Sequence, residues 1–308
     1  MKCVVTGGAG FIGSHLARTL LRKGMRVTVV DNFSTGKKEN LKDVLGEIEL
    51  LEGDIRDGDF LSKAFAGSVC VFHQAALPSV RRSIEFPLES NDVNVNGTLQ
   101  VLWASLRAGV QRVVYAASSS VYGNTLVLPK HEGLPPNPMS PYALTKYAGE
   151  MYCKLFSELY RLETVCLRYF NVFGPNQDPH SPYAAVIPLF VAGMMRGQSP
   201  VINGDGTQTR DFCYIDNVVE ANLLAYACKQ ANGQIVNIGC GERISLLELV
   251  DLINGLLGTR LDPLFAPPRP GDVKDSLASI ELAATVLGYR PRVNVAEGLS
   301  RLIRWMRP

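Results

Sequence analysis

Two hydrophobic rhythms alternate along this chain. Short, nearly continuous apolar runs fall at 2–6, 26–30, 48–51, 69–73, 113–117 and 164–169. Such runs read as strands buried on both faces. Between them the apolar positions recur with helical spacing, most clearly over 87–108 and 140–161. Strands alternating with helices predict an α/β fold, a Rossmann-type doubly wound parallel sheet covered on both sides. On the helix over 140–161, Tyr147, Met151, Leu155 and Leu159 form an apolar face and are expected to be buried. That burial is open between the interior of the monomer and the same helix of a second copy, as in a homodimer. After Gly174 the alternation loosens. A turn-rich loop (175–182) leads to helical patterns near 184–196, 215–228, 246–257 and 295–306, with short strands and the loops 204–206 and 269–272 among them. The expected organisation is a sheet domain over 1–174, rejoined by part of 208–240 through a strand at 235–238. Residues 175–308 then form most of a smaller, interleaved α/β C-terminal substrate lobe.

Composition narrows the picture. At 308 residues, one large or two modest domains are expected. The net charge of +2 gives no electrostatic reason to expect nucleic acid or an anionic membrane as partner. No apolar run approaches the ~20 residues of a membrane span. The first strand pattern starts at residue 2, so no signal peptide is expected in front of it and a cytoplasmic location is. The seven cysteines form no CxxC pair and lie mostly in apolar patterns. They are expected to be reduced core residues, neither a disulfide set nor a metal site.

The candidate chemistry gathers at strand ends. Gly7, Gly10 and Gly13 lie in GGAGFIG, between the first strand and a helical pattern. In that context a glycine turn lets backbone approach a pyrophosphate at the helix N-terminus, where free N–H groups and the helix dipole favour negative charge. Asp31 ends the second strand, where a carboxylate suits the ribose hydroxyls of NAD and repels the 2′-phosphate of NADP. Lys37 and Lys38, close behind, keep NADP open. Asp54, Gln74, Ser118 and Tyr169 end further strands on the same predicted edge, the edge at which such sheets bind ligands. Tyr142 and Lys146 are four residues apart on one helix face. An ammonium beside a phenol favours the phenolate, so Lys146 is expected to lower the Tyr142 pKa and make it a base. Ser118 can hydrogen-bond the same substrate oxygen. Arg210 and Arg269, on separate glycine-bearing loops, suit a diphosphate. Arg81 and Arg82 are read as part of a loop over 77–82 near the substrate. His73, His131 and His180 have no carboxylate fixed by spacing and are assigned no chemistry.

GGAGFIG, Asp31, SSSVYG (118–123), the Tyr142–Lys146 pair and YFNVFG (169–174) together resemble the extended short-chain dehydrogenase/reductase family over essentially the whole chain. Within it the chain is similar to the nucleotide-sugar 4-epimerases, the UDP-galactose 4-epimerase group. The resemblance implies tightly held NAD and a UDP-sugar substrate. It implies Tyr142 as catalytic base, Lys146 on the nicotinamide ribose and Ser118 at the sugar oxygen. It implies a cofactor path of Gly7, Gly10, Phe11 and Ile12 at the pyrophosphate; Asp31, Asn32, Ser34, Thr35 and Gly36 about the adenosine ribose; and Asp54 and Ile55 at the adenine. Gln74, Ala75, Ala76, Asn94, Ala116 and Tyr169 would line the remainder. The substrate would meet Ser79, Ser119, Ser120, Asn171, Ala185, Val186, Val201, Asn203, Arg210 and Arg269, with Asp272 at the uridine-side ribose.

The resemblance also bears on which sugar is used. Relatives that dehydrate or decarboxylate carry an acidic residue just after the hydroxyl residue of the central motif, where this chain has Ser119 and Ser120. At the family's sugar-pocket gate a bulky tyrosine restricts relatives to non-acetylated sugars. This chain has Ser276 there, which leaves room for an N-acetyl group. The stretches HQAALPSV (73–80), YAAVIP (183–188) and DFCYI (211–215) also look like the subgroup acting on UDP-N-acetylhexosamines. The expected reaction interconverts UDP-GlcNAc and UDP-GalNAc, with UDP-Glc and UDP-Gal as further substrates, through a transient 4-keto sugar. A UDP-glucuronate decarboxylase or 4-epimerase stays open, with Arg81 or Arg82 meeting the carboxylate. So does a non-catalytic NAD-sensing module, although the intact Ser118, Tyr142 and Lys146 set speaks against it.

Overall fold

The computed structural model describes residues 1–268 and 273–307. The first half alternates as the apolar pattern predicts: β1 (Lys2–Thr6), α1 (Phe11–Arg22), β2 (Arg26–Asp31), β3 (Glu49–Glu52), α2 (Gly58–Ala64), β4 (Cys70–His73), α3 (Val80–Glu85), α4 (Pro87–Asn91), α5 (Gly97–Arg107), β5 (Arg112–Ser118), α6 (Pro141–Tyr160) and β6 (Glu163–Tyr169). Then follow β7 (Val172–Phe173), α7 (Val186–Met194), β8 (Val201–Asn203), β9 (Thr209–Arg210), β10 (Cys213–Tyr214), α8 (Ile215–Ala227), β11 (Ile235–Ile238), β12 (Ile244–Ser245), α9 (Leu246–Leu257), β13 (Leu264–Ala266) and α10 (Val295–Met306).

Seven of these strands form one all-parallel sheet in the order β11-β6-β5-β4-β1-β2-β3. The strand order reverses between β1 and β4, the switch point at which such sheets open a crevice beyond their carboxyl ends. Strand side chains alternate between two cores. Cys3 and Val5 pack with Leu16 and Leu20 of α1 on one face, and Val4 packs with Val71 and Val113 on the other. The segment at 235–238 does return to the sheet, as β11 beside β6. Three two-stranded pairs, β7–β10, β8–β13 and β9–β12, flank the chain's second half. The seven cysteines are free thiols, five of them buried. Among the described residues no helix is long and apolar enough to cross a membrane.

The expected helix over 87–108 is α4 and α5 joined by one π-helical turn, Asp92–Asn96. Asn94 in that turn is buried and works as a clamp: its amide accepts from the Leu77 N–H (2.8 Å) and donates to the Leu77 carbonyl (3.2 Å) and the Thr145 hydroxyl (3.1 Å). The expectation for α6 needs correction. Leu155 and Leu159 are 44% and 68% exposed, and the buried residues are Ala143, Thr145, Lys146, Gly149, Glu150, Cys153 and Phe156. Gly149 explains the choice of face. A Cβ there would stand 2.2 Å from the Tyr115 hydroxyl oxygen, so only the glycine side of α6 lies flat on β5. Arg81 and Arg82 are likewise on α3 and not in a loop.

Asp211, between β9 and β10, ties two distant segments together. Its buried carboxylate accepts from the N–H groups of Cys240 (2.7 Å), Gly241 (3.0 Å) and Ala278 (3.1 Å). Removing a buried acceptor leaves its donors desolvated and unpaired. We expect Asp211→Ala to lower stability by about 3 kcal/mol in urea unfolding; an effect within ~0.5 kcal/mol, as at an ordinary surface site, would contradict this role.

Candidate active site

A cleft of about 920 Å³ opens at the switch point, walled by the turns after β1, β2, β4, β5 and β6. That is near the top of the ~300–1,000 Å³ typical of ligand pockets. Its floor begins with the glycine turn. Gly7 has a left-handed φ of +67°, and a Cβ on Gly13 would lie 2.2 Å from the Gly7 carbonyl oxygen, so the turn closes only with glycine. Gly10 caps α1 without a side chain, and the first turn of the helix holds no acidic residue. The helix therefore presents its N-terminal N–H groups to the cleft beside Phe11 and Ile12.

Asp31 stands at the end of β2 with one backbone N–H on each oxygen, from Ala9 (2.9 Å) and Phe33 (2.8 Å). Each oxygen keeps a lone pair for a hydroxyl. Burial pushes this carboxyl up, and the two N–H groups oppose it. Both lysines that kept NADP open are committed to carboxylates: Lys37 to Asp178 (2.7 Å) and Lys38 to Glu52 (3.4 Å). Asp54 is held by Arg56 at 2.7 Å and by Asn32 at 2.9 Å, and the Arg56 hydrogen bonds bring its pKa down to about 2. The residues present fit a dinucleotide: uncapped amides for a pyrophosphate, then a carboxylate for a ribose diol.

At the other end, α6 begins at Ser140, whose hydroxyl accepts from the Ala143 N–H (3.2 Å), and Pro141 takes the first helical position. The Tyr142 N–H donates to the buried Ser83 hydroxyl (3.0 Å), which ties the start of α6 to α3. Tyr142 then lines the cleft together with Ser118, Ser119 and Ser120. The Ser120 hydroxyl donates to that of Ser118 (2.9 Å). Lys146 lies behind the wall. Its ammonium donates to the Ala116 carbonyl (2.8 Å) and sits 5.0 Å from the centre of the Tyr115 ring. Burial brings its pKa down to about 8, with Cys153 and Glu150 opposing. Here the expectation fails in this structure. The Tyr142 phenol is raised by burial, not lowered; the group that pulls it down is Ser118, because Lys146 is turned to Ala116.

The remaining expected residues divide. Gly7, Gly10, Phe11, Ile12, Asp31, Asn32, Ser34, Thr35, Ile55, Gln74, Ala75, Ala76, Tyr169, Asn171 and Ala185 stand on the cleft wall. Gly36, Asp54, Ser79, Asn94, Ala116, Val186, Val201, Asn203, Arg210 and Ser276 do not line it. Ser79 is the N-cap of α3, accepting from the Arg82 N–H (3.1 Å). Arg210 donates to the Thr209 and Lys274 carbonyls, both at 2.9 Å, and the Ser276 N–H donates to the Thr209 carbonyl (3.1 Å). Arg269 and Asp272 lie outside the described residues. Residues outside the expected set form a second bank. Asn176, Gln177, Asp178 and Tyr183 wall the cleft from the loop after β7, and Trp305 and Met306 from the tip of α10. Asp178 grips Lys37 across it, and the Tyr183 hydroxyl donates to Glu85 (2.8 Å). Only tertiary packing brings these residues to the cleft, and no spacing announces it.

The geometry agrees with what similar proteins show. The model of the NAD dependent epimerase/dehydratase family matches residues 3–239. A putative UDP-glucose 4-epimerase of Methanocaldococcus jannaschii is 42% identical, over 99% of this chain and 98% of that protein. Two solved structures overlay on nearly the full length. One is the UDP-glucose 4-epimerase of Thermotoga maritima with UDP-glucose, with a TM-score of 0.96, 38% identity and coverage of 100% and 99%. The other is the UDP-N-acetylglucosamine 4-epimerase of Methanobrevibacter ruminantium with UDP-N-acetylmuramic acid, with a TM-score of 0.94, 39% identity and coverage of 99% and 97%. The chain belongs to the NAD-dependent epimerase/dehydratase family, an extended short-chain dehydrogenase/reductase whose cofactor is NAD.

His73, at the end of β4, is buried and does not line the cleft. Its Nδ1 meets the Thr6 hydroxyl (2.7 Å) and its Nε2 the Thr98 hydroxyl (3.0 Å). Burial, with the Lys146 charge, takes its pKa from 6.5 down to about 3. A depressed histidine binds its proton only in the unfolded chain, so stability falls as pH drops from 6.5 towards 3. Between pH 7 and pH 5 we expect this group to cost about 2 kcal/mol. Denaturation of His73→Gln should show a correspondingly shallower pH dependence than the native chain; equal slopes would refute it.

Proposed function

We propose that the protein is an NAD-dependent UDP-sugar 4-epimerase that interconverts UDP-GlcNAc and UDP-GalNAc and also takes UDP-Glc and UDP-Gal. The observation that carries this reading is that Tyr142 and Ser118 line one cleft within hydrogen-bonding reach of each other, with Lys146 one helical turn behind. Bound NAD supplies the acceptor for the hydride at carbon 4 and a positive nicotinamide ring that favours the Tyr142 phenolate. Tyr142 takes the proton of the carbon-4 hydroxyl, and Ser118 hydrogen-bonds the same oxygen. Lys146 would hold the cofactor's ribose. The 4-keto sugar, tethered by its nucleotide, would turn its other face; the same hydride would return to carbon 4 and Tyr142 would return the proton to its oxygen. Residues 1–174, with β10, α8 and β11, form the cofactor-binding part and 175–308 most of the UDP-sugar lobe; Asn171 from the first, with Arg210, Arg269 and Asp272 from the second, would hold the nucleotide.

Several features support the sugar class. Ser119 and Ser120 put hydroxyls, and no carboxylate, where dehydratases and decarboxylases need an acid or base. A full-length structural neighbour is a UDP-N-acetylglucosamine 4-epimerase; Ser276, small and buried beside the strand of Arg210, stands off the cleft wall. A UDP-glucuronate enzyme is less well supported, because Arg81 pairs with Glu85 (2.9 Å) and Arg82 with Glu89 (3.0 Å). A non-catalytic module has no use for a complete Ser118, Tyr142 and Lys146 set. Leu144, Leu155 and Leu159 of α6, with Trp103 of α5, are exposed apolar side chains; they support a homodimer through these helices. We place the protein in the cytosol.

Incubation with UDP-GlcNAc, followed by NMR, should yield UDP-GalNAc. Formation of UDP-Gal from UDP-Glc alone would overturn the acetylated-sugar assignment, and no product from either sugar would overturn the epimerase. Tyr142→Phe should lower kcat about a thousandfold while leaving NAD bound; turnover near the native rate would remove Tyr142 as the base.

A further inference from the structure

One buried charge pair lies directly behind the working side chains. Glu150, on α6 one turn beyond Lys146, has no exposed surface. Arg168 of β6, itself buried, meets it fork to fork, Nε to Oε1 at 2.8 Å and Nη2 to Oε2 at 2.7 Å. The same guanidinium stacks on the Tyr122 ring at 4.7 Å, and the Tyr122 hydroxyl donates to Asn237 (2.7 Å). Tyr122 ends the turn that Ser118 begins. One rigid chain of contacts thus runs from the helix of Lys146 to the turn of Ser118.

Stability alone is a poor reason for such a pair. Desolvating two charges offsets most of their attraction, and apolar residues of the same volume often serve as well. Placement is the better reason. Among the described groups around Lys146, β4 offers His73, β5 the Tyr115 ring and the Ala116 carbonyl, and α6 itself Cys153 and Glu150, with Arg168 of β6 behind Glu150. Glu150 is the carboxylate of that set. A buried ammonium needs a nearby negative charge to stay protonated.

We propose that Glu150, locked by Arg168, is a positioning residue for the reaction: it supplies the countercharge that keeps Lys146 an ammonium and ties the lysine's helix to the serine turn. This rests on the reading of Tyr142 and Lys146 as the working pair. Burial brings Lys146 down to about 8 even with the charges of Cys153 and Glu150 opposing that fall. Burial likewise raises the Glu150 carboxyl, against the hydrogen bond and charge of Arg168 and the charge of Lys146. Without the carboxylate, Lys146 would lose its proton at lower pH, and a function that needs the ammonium would fail at lower pH too.

The test compares the native chain with Glu150→Gln and with the double variant Glu150→Gln, Arg168→Met, which removes both charges at similar volume. Two midpoints are read as pH rises: the alkaline limb of epimerisation, and the loss of NADH binding followed by NADH fluorescence. For Glu150→Gln both midpoints should fall by about one pH unit. For the double variant they should fall by less, because the repelling guanidinium is gone as well. If the single variant does not fold, the double variant carries the test. Unchanged midpoints in folded variants, with only a lower Tm, would make the pair merely structural and overturn the proposal. Absence of turnover by the native chain would overturn the epimerase reading, while the NADH midpoint would still decide the role of Glu150.

Discussion

All seven strands of the central sheet run one way, so every strand delivers its last residue to the same edge. That constraint underlies the rest of the structure. A parallel sheet needs long crossovers, which put helices on both faces and leave the carboxyl edge as the place where backbone amides and polar side chains face a crevice. Between β1 and β4 the crossovers diverge, and the cleft forms there. The glycine turn, Asp31 and the serine turn share a wall because their strands are neighbours in register, not because they are close in sequence.

Holding that edge rigid falls to buried polar groups, satisfied mostly by backbone. Asn94 locks the turn after β4, and Asp211 locks the ends of β11 and the segment at 278. Asn237 receives the Tyr122 hydroxyl and donates to the Lys130 carbonyl (2.9 Å). Such groups add little net stability when satisfied, yet are costly to leave unpaired, so they define one arrangement of loops. A hydride transfer needs that precision, since reacting atoms must meet within a few tenths of an ångström of the productive geometry.

Much of this was legible in the residues, for physical reasons. Strands buried on both faces must be nearly all apolar, so β1, β2, β4, β5 and β6 announced themselves, and the turns that follow them carried Gly7, Asp31, Gln74 and Ser118. Local signals also placed α6, where Ser140 and Pro141 mark its start. What sequence could not supply was anything decided by distant packing. Which face of α6 is buried depends on Gly149 meeting Tyr115. The second bank of the cleft depends on Asp178 and Trp305 arriving from far along the chain. Helical spacing puts Lys146 near Tyr142 but says nothing of the Ala116 carbonyl that competes for its ammonium.

The central claim is that carbon 4 is oxidised and reduced by one hydride that never leaves the cleft. UDP-GlcNAc carrying deuterium at carbon 4, turned over in ordinary water, tests it directly. The account predicts UDP-GalNAc that retains the deuterium at carbon 4, because the walls of Tyr142, Ser118 and the glycine turn hold the cofactor and sugar together throughout. Product with ordinary hydrogen at that carbon would mean exchange with solvent, and would contradict the mechanism.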